Sequence, residues 1–335
     1  MKILIIKLGA LGDVVRTSYF LRGLRVKCGG NLHITWVTSP KAVALLEFHP
    51  DVDRLWSTED VARDPVGWHS QQFDWVISLD DEVYACGLLE GLKWARLTGA
   101  CLEEGKVNYT LDAAPWFDMG LISKLGKARA DGLKLVNQRT HDVIFGGILG
   151  IRVAGPEFHN RPGAAEDAIR ILSGQAGYFT GLNLSAGNRW LNKRLGPAQA
   201  ELLVVKLKLA GVPMLLLGGV DDVSYNRRLA ECSGCPVLPP VSLNQFAAVV
   251  GQLKAIITAD TLAMHLAIAQ RIPSVSFFAP TSAAEINTFS TGLKIRSTTS
   301  DYCNYKSDAD NSSITAERLF EAFEKLAGMA ISTTP

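Results

Sequence analysis

Residues 2–17, KILIIKLGALGDVVRT, constrain the fold more than any other stretch of the chain. A nearly continuous apolar run meets two glycines and then a helix-compatible pattern, which predicts a buried strand, a tight turn and a helix, the first half of a βαβ unit. Turns of this kind lie at the carboxyl edge of an open α/β sheet, where ligands bind. The turn holds Gly9, Gly12, Asp13 and Arg16, so its chemistry depends on what a carboxylate does there.

A dinucleotide site is the first possibility to test. It needs G-x-G-x-x-G and an acid about 20 residues on to hold a ribose. Here the turn reads Gly9-Ala10-Leu11-Gly12-Asp13, and the second expected strand ends Val37-Thr38-Ser39 without an acid. A carboxylate at the helix mouth would also repel a pyrophosphate. Two readings of Asp13 stay open. It can cap its helix, because the unpaired N–H groups and the helix dipole favour negative charge. It can also aim into a cleft and take a proton from a hydroxyl nucleophile, in a step where proton transfer comes late.

The order of patterns after the turn is βαβαβ. A helix from about Asp13 to Val26 stops at Cys28-Gly29-Gly30, strands come next at His33–Val37 and Val52–Trp56 with a short helix from Pro40 to Phe48 between them, and Phe73–Leu79 is a third buried strand running into a helix that reaches about Trp94. This predicts a parallel, helix-covered sheet. Residues 113–120 read as a loop exposing aromatics. Residues 121–139 read as a helix whose Lys124, Lys127, Arg129, Lys134 and Arg139 form a solvated face, or else a rim for an anionic acceptor or a membrane surface. Gly155-Pro156 and Arg161-Pro162-Gly163 mark a linker.

The second half repeats the alternation. Strands are expected at 181–184, 213–217, 255–258, 274–278 and 293–296, with helices at 165–175, 197–209, 224–231, 243–253, 262–270 and 315–327. A length of 335 residues suits two domains, and an apolar content of 47% with a net charge of +1 describes an ordinary globular chain without a nucleic-acid signature. No apolar run reaches the roughly 18 residues needed to span a bilayer and no leader pattern is present, so a cytoplasmic location is expected. Cys232 and Cys235 have CxxC spacing, but a zinc site needs two further ligands and none lies nearby in sequence. Two unlinked thiols near a helix end are expected instead.

Four loops after strands of the second half converge on one sheet edge. Ser185–Arg194 carries Arg189, Lys193 and Arg194, cations suited to phosphates. Gly218–Asp222 offers Asp221 to ribose or sugar hydroxyls. Ala259–His265 opens a helix at Asp260 and Thr261, whose N–H groups can bind a pyrophosphate. Ala279–Ser282 adds Thr281. Each has a plain structural reading, Asp260 and Ser185 as caps and His265 as a helix residue, but together they favour a nucleotide-diphosphate site.

The segments KLGALGDVVRT, SAGNRWLNKR, LLGGVDD and ADTLAMHLA with FFAPTS, in this order from Met1 to about Ser282, resemble glycosyltransferase family 9, the ADP-heptose heptosyltransferases of lipopolysaccharide core assembly. The resemblance implies a GT-B fold of two Rossmann-like domains with parallel sheets facing a central cleft. Residues 1–163 would bind acceptor and 164–314 donor, with 315–335 returning to the first domain. It implies an inverting transfer from ADP-heptose to a hydroxyl of a lipopolysaccharide core or related glycan, without a tightly bound metal or other cofactor. A protein or other acceptor, a different sugar, and a non-catalytic nucleotide-sugar-binding protein are the alternatives. Asp13 falls on the family's catalytic base and Lys193 on its phosphate-binding lysine. Asp221 falls on the acid that holds donor ribose, and Asp260 and His265 on the D-[ST]-G-x-x-H positions. Three positions depart from the pattern: Leu262 and Ala279 replace glycines, and Asp221 is shorter than the usual Glu.

Overall fold

The computed structural model describes residues 1–175, 177–187 and 190–332, so Asn188 and Arg189 of the first donor-side loop lie outside the described residues. The chain divides into two compact units, Met1–His159 and Asn160–Pro335.

The first unit is built on β1 (Lys2–Ile6), β2 (His33–Thr38), β3 (Arg54–Ser57), β4 (Gln72–Ser78), β5 (Lys93–Glu103) and β6 (Lys106–Tyr109), in the spatial order β3-β2-β1-β4-β5-β6. All pairs are parallel except the β5–β6 hairpin at one edge. The chain leaves β1 towards β2 on one side and returns to β4 on the other, so the topological switch point falls between β1 and β4. The opening turn therefore sits where open α/β sheets bind ligands. Ile3 to Ile6 are all at most 1% exposed, as expected of a parallel strand covered on both faces.

This unit differs from the sequence reading in several places. The first helix is two helices, Leu11–Ser18 and Leu21–Cys28, parted at Tyr19-Phe20, where the Ser18 hydroxyl donates back to the Val15 carbonyl at 2.8 Å. The helix expected to run to Trp94 stops after Val83–Gly87, and Lys93–Glu103 is an eleven-residue strand. Leu88, Leu89, Leu92 and Trp94 mimic a helical stripe, but Gly91 has a left-handed φ of 78° and pairing with β4 makes the next residues a strand. Residues 113–120 are not an open aromatic loop: a short helix, Ala114–Phe117, buries Phe117 to 2% exposure. The basic stretch forms a helix only over Lys127–Val136, with a further helix at His141–Leu149. Lys124 is exposed, and its ammonium donates to the Tyr109 carbonyl at 2.9 Å and lies 4.5 Å from the Tyr109 ring centroid.

The second unit follows its sequence closely. β7 (Thr180–Asn183), β8 (Met214–Leu216), β9 (Ala255–Ala259), β10 (Ser274–Phe278) and β11 (Gly292–Arg296) form an all-parallel sheet in the order β11-β10-β9-β7-β8, and its switch point lies between β7 and β9. Alternation sorts its side chains. Leu182, Ile257, Val275 and Phe277 pack under helices Pro197–Leu209 and Ala316–Ser332 through Leu203, Val204, Leu207 and Leu319. Phe278 faces the opposite side with Met264 and Ile268 of helix Leu262–Ala269. The last helix packs on Pro197–Leu209 and on β10 and β11 within this unit. Among the described residues no helix is long and apolar enough to cross a membrane.

One glycine fixes how β4 and β5 approach. Gly99 pairs with Ser78, has φ of 114°, and a Cβ there would stand 1.8 Å from the Ser78 carbonyl oxygen. Gly99→Ala is therefore expected to destabilise the first unit by about 3 kcal/mol or more, through backbone strain and overlap with a backbone atom that cannot move aside. Urea denaturation followed by tryptophan fluorescence measures this, and an unchanged midpoint would contradict it.

Candidate active site

At the opening turn, the end of β1 is held by the acid that comes after β4. The Lys7 side chain is 11% exposed and its ammonium pairs with one Asp80 oxygen, while the other oxygen accepts the Leu8 N–H. The Leu79 N–H donates to the Ile6 carbonyl at 3.0 Å and the Ser39 N–H to the Leu8 carbonyl at 3.2 Å, so the turn is tied to both neighbouring strands. Gly9 has open space where a side chain would begin. The helix is capped by Ala10 without a side-chain hydrogen bond, and Asp13 is its third residue, not its cap. The Asp13 carboxylate, 32% exposed, pairs with Arg16 at 2.9 Å. The Arg16 guanidinium lies 5.5 Å from the Trp116 ring centroid, and Trp116 meets His141 edge-on at 4.9 Å. A partly exposed carboxylate thus stands at the switch point beside a neutralising cation and an aromatic wall.

In the second unit the loops after β7 and β9 meet through charge. The Lys193 ammonium donates to the Asp260 carboxylate at 2.9 Å and to the Asp260 carbonyl at 3.1 Å, with side-chain exposures of 16% and 14%. Nε2 of His265, one turn into the helix, lies 3.9 Å from the other Asp260 oxygen, and Thr281 stands beside it from the loop after β10. Burial alone would push the Asp260 carboxyl up. The facing Lys193 cation, then His265, outweigh it and hold the group well below the usual carboxylate range. An ammonium has three donors, and Asp260 takes two of them. The Thr261 hydroxyl accepts from Asn183 at 2.7 Å, so the helix it precedes starts without a side-chain cap. Ser185 is buried and its hydroxyl accepts from Arg194 Nε at 2.9 Å, while the Arg194 guanidinium covers the Tyr225 ring at 4.9 Å.

The structure brings Lys193, Asp260, Thr261, His265 and Thr281 together, and places Ser185 and Arg194 in the adjoining loop. Asp221 is exposed, with its carboxylate beside Gly187. Its neighbour Asp222, which sequence reasoning passed over, is 5% exposed and accepts the Gly219 N–H at 2.9 Å and the Gly187 N–H at 3.0 Å, joining the loops after β7 and β8. Its signal was an acid three residues after Gly219, at the spacing from which a carboxylate reaches back to that glycine's N–H. Lys7 and Asp80 were also missed, and only an acid directly after a strand adjacent to β1 hinted at them. The six cysteines are free thiols, with Cys232 Sγ donating to the Leu229 carbonyl at 3.2 Å.

Residues 193–313 match the model of glycosyltransferase family 9 (heptosyltransferase), the segment that contains Lys193, Asp260 and His265. A glycosyl transferase family 9 protein from Veillonella parvula shares 20% identity over 97% of this chain and 96% of its own, with a TM-score of 0.76. The E. coli ADP-heptose LPS heptosyltransferase II is 18% identical over 98% and 99%, with a TM-score of 0.69. E. coli heptosyltransferase WaaC with ADP is 18% identical over 97% and 100%, with a TM-score of 0.64. At these identities the likeness concerns the fold, which is the GT-B fold of two α/β units. No curated protein sequence matches the chain. The fold and the matched segment define a glycosyltransferase. Residues 193–313 are thus a glycosyltransferase family 9 (heptosyltransferase) segment within a chain of that fold.

The Asp260 pair has a pH signature. A carboxylate whose folded pKa lies below its unfolded value of about 3.9 stabilises the fold above that value, and the contribution is lost as pH falls through the folded one. The stabilisation is thus complete at pH 7 and drains away below about pH 4. Asp260→Asn, which leaves Lys193 without its charge partner, is expected to cost about 3 kcal/mol at pH 7. It should also make stability fall less steeply than in the native protein between pH 5 and pH 2. Urea denaturation across that range checks both, and parallel curves would refute the linkage.

Proposed function

We propose that this protein is an inverting heptosyltransferase that moves a heptose from ADP-heptose to a hydroxyl of a lipopolysaccharide core or a related glycan. The observation that carries the reading is the Lys193–Asp260–His265 cluster at the β7/β9 switch point, inside the segment that matches the family. Donor choice is supported by two similar structures, described as E. coli heptosyltransferase WaaC with ADP and with ADP-2-deoxy-2-fluoro heptose.

In this reading the diphosphate lies across the start of helix Leu262–Ala269, where backbone N–H groups and the helix dipole favour an anion. The third donor of Lys193 reaches it, and Arg194 adds charge from the same loop. Asp221 accepts from the ribose hydroxyls. Leu262 stands at the first helical position where the family pattern has glycine, so the backbone there approaches the diphosphate less closely. The acceptor docks at the opening turn, with Gly9 leaving room for its hydroxyl and Arg16 holding the Asp13 carboxylate in place. The hydroxyl oxygen attacks the anomeric carbon from the face opposite ADP, the bond to the diphosphate oxygen breaks, and the proton passes to Asp13 late in the step. Lys193 and the helix start stabilise the charge that develops on the leaving diphosphate. The enzyme works in the cytoplasm and meets its acceptor at the inner face of the inner membrane.

Asp13→Ala is expected to lower turnover of ADP-heptose by about 100-fold or more while ADP affinity changes only a few fold, since the carboxylate acts on the acceptor. Turnover is read by ADP release and affinity by calorimetry. In a thermal-shift series with ADP, UDP, GDP and CMP, ADP should stabilise most, because only a ligand that binds the folded state raises the midpoint. Unchanged turnover in the variant would remove Asp13 as base, and a preference for UDP would overturn the donor.

A further inference from the structure

At the amino edge of the first sheet, opposite the opening turn, the connection into β3 carries a histidine with one ring nitrogen lacking a hydrogen-bond partner among the described residues. His49 is 5% exposed. Its Nδ1 accepts the Asp51 N–H at 3.2 Å, which puts the hydrogen of the neutral ring on Nε2. That Nε2 is buried and has no hydrogen-bond partner among the described residues. A buried donor left unmade is costly, so such an atom calls for an explanation. Two residues from the last segment of the first unit face it. The His159 ring stands edge-on to His49 with centroids 4.6 Å apart, its own Nε2 is buried without a hydrogen-bond partner among the described residues, and it lies 3.8 Å from the Glu157 carboxylate. One ligand atom from each of His49, Glu157 and His159 lies within 4.8 Å of the other two.

We propose that His49, Glu157 and His159 form a binding site for a divalent transition-metal ion of the zinc class. Two imidazole nitrogens and one carboxylate oxygen suit zinc, with water completing the shell from the side on which Glu157 and His159 are about one-third exposed. Arg25 acts on His49 from nearby, but its charge is met by Asp51 at 3.3 Å and Asp53 at 2.7 Å. Zinc–ligand distances of about 2.1 Å require the three side chains to draw together by roughly 1 Å from their present spacing. On binding, the His49 ring hydrogen passes from Nε2 to Nδ1 and the long contact from Asp51 is given up.

The site is structural. Residues 151–161 have no regular secondary structure, and a metal held by Glu157 and His159 would pin this segment to the loop that enters β3. The edge of the sheet it occupies is the one remote from Asp13, so the ion would act on stability and not on transfer.

The test is zinc content and affinity of the full chain after removal of metal and reloading, with a chromophoric chelator as competitor. The native protein is expected to hold about one zinc per chain and to melt at a higher temperature when loaded. His159→Ala and Glu157→Gln change partly exposed residues and should fold. Each is expected to weaken zinc by at least about tenfold and to shrink the zinc-dependent rise in melting temperature. Cobalt substitution should give a visible spectrum of nitrogen and oxygen ligation without a thiolate charge-transfer band. A Cys232→Ser, Cys235→Ser double variant should keep the ion. The proposal is overturned if the native chain retains no zinc against the chelator, if His159→Ala binds as tightly as native, or if the ion is lost with the two cysteines.

Discussion

Each sheet of this protein is held at its switch point by a largely buried lysine–aspartate pair. In the first unit Lys7 at the end of β1 meets Asp80 beyond β4, and in the second Lys193 beyond β7 meets Asp260 beyond β9. A switch point is where the connections from two adjacent strands run in opposite directions, so the loops above it diverge and leave a crevice. Water would fill that crevice and loosen the loops unless something bridged it. A charge pair with little exposure does so, because neither partner can leave without stranding the other, and the penalty for a stranded buried charge is several kcal/mol.

The two pairs differ in what they leave available. Asp80 uses one oxygen on the ammonium and the other on the Leu8 N–H, so the first pair is an internal brace that fixes the backbone just before Gly9. Asp260 takes two of the donors of Lys193 and holds the third in place at the uncapped start of a helix. The first pair shapes the turn that carries Asp13. The second presents positive charge at the start of helix Leu262–Ala269. The same device thus recurs in two units whose sheets have different strand orders.

Much of the second unit was legible because its strands are short, continuously apolar and punctuated, and because parallel strands buried on both faces leave little choice of partner. Helix Pro197–Leu209 and strand Ser274–Phe278 fall where the pattern places them. The first unit was legible as far as β4. Beyond it, Lys93–Glu103 carries a sequence compatible with helix, and its state is set by hydrogen bonds to β4 and by the close approach that only Gly99 permits. Local propensity is a weak prior there, and tertiary pairing overrides it.

By itself, the sequence determined the strand–turn–helix at the amino end, the alternation of the second half, and the candidate residues of both carboxyl edges, because each depends on neighbours a few positions apart. Only the tertiary structure decided which of those residues meet. Lys193 and Asp260 are 67 positions apart, Lys7 and Asp80 are 73, and neither spacing carries a local signal. The same holds for His49 and His159, which no CxxC-like spacing could announce. Asp222 instead of Asp221 joins two loops because burial, not residue type, separates two adjacent aspartates. At the opening turn the sequence left Asp13 between a cap and a working carboxylate. The backbone gave the cap position to Ala10 and put Asp13 three residues into its helix, partly exposed and paired with Arg16.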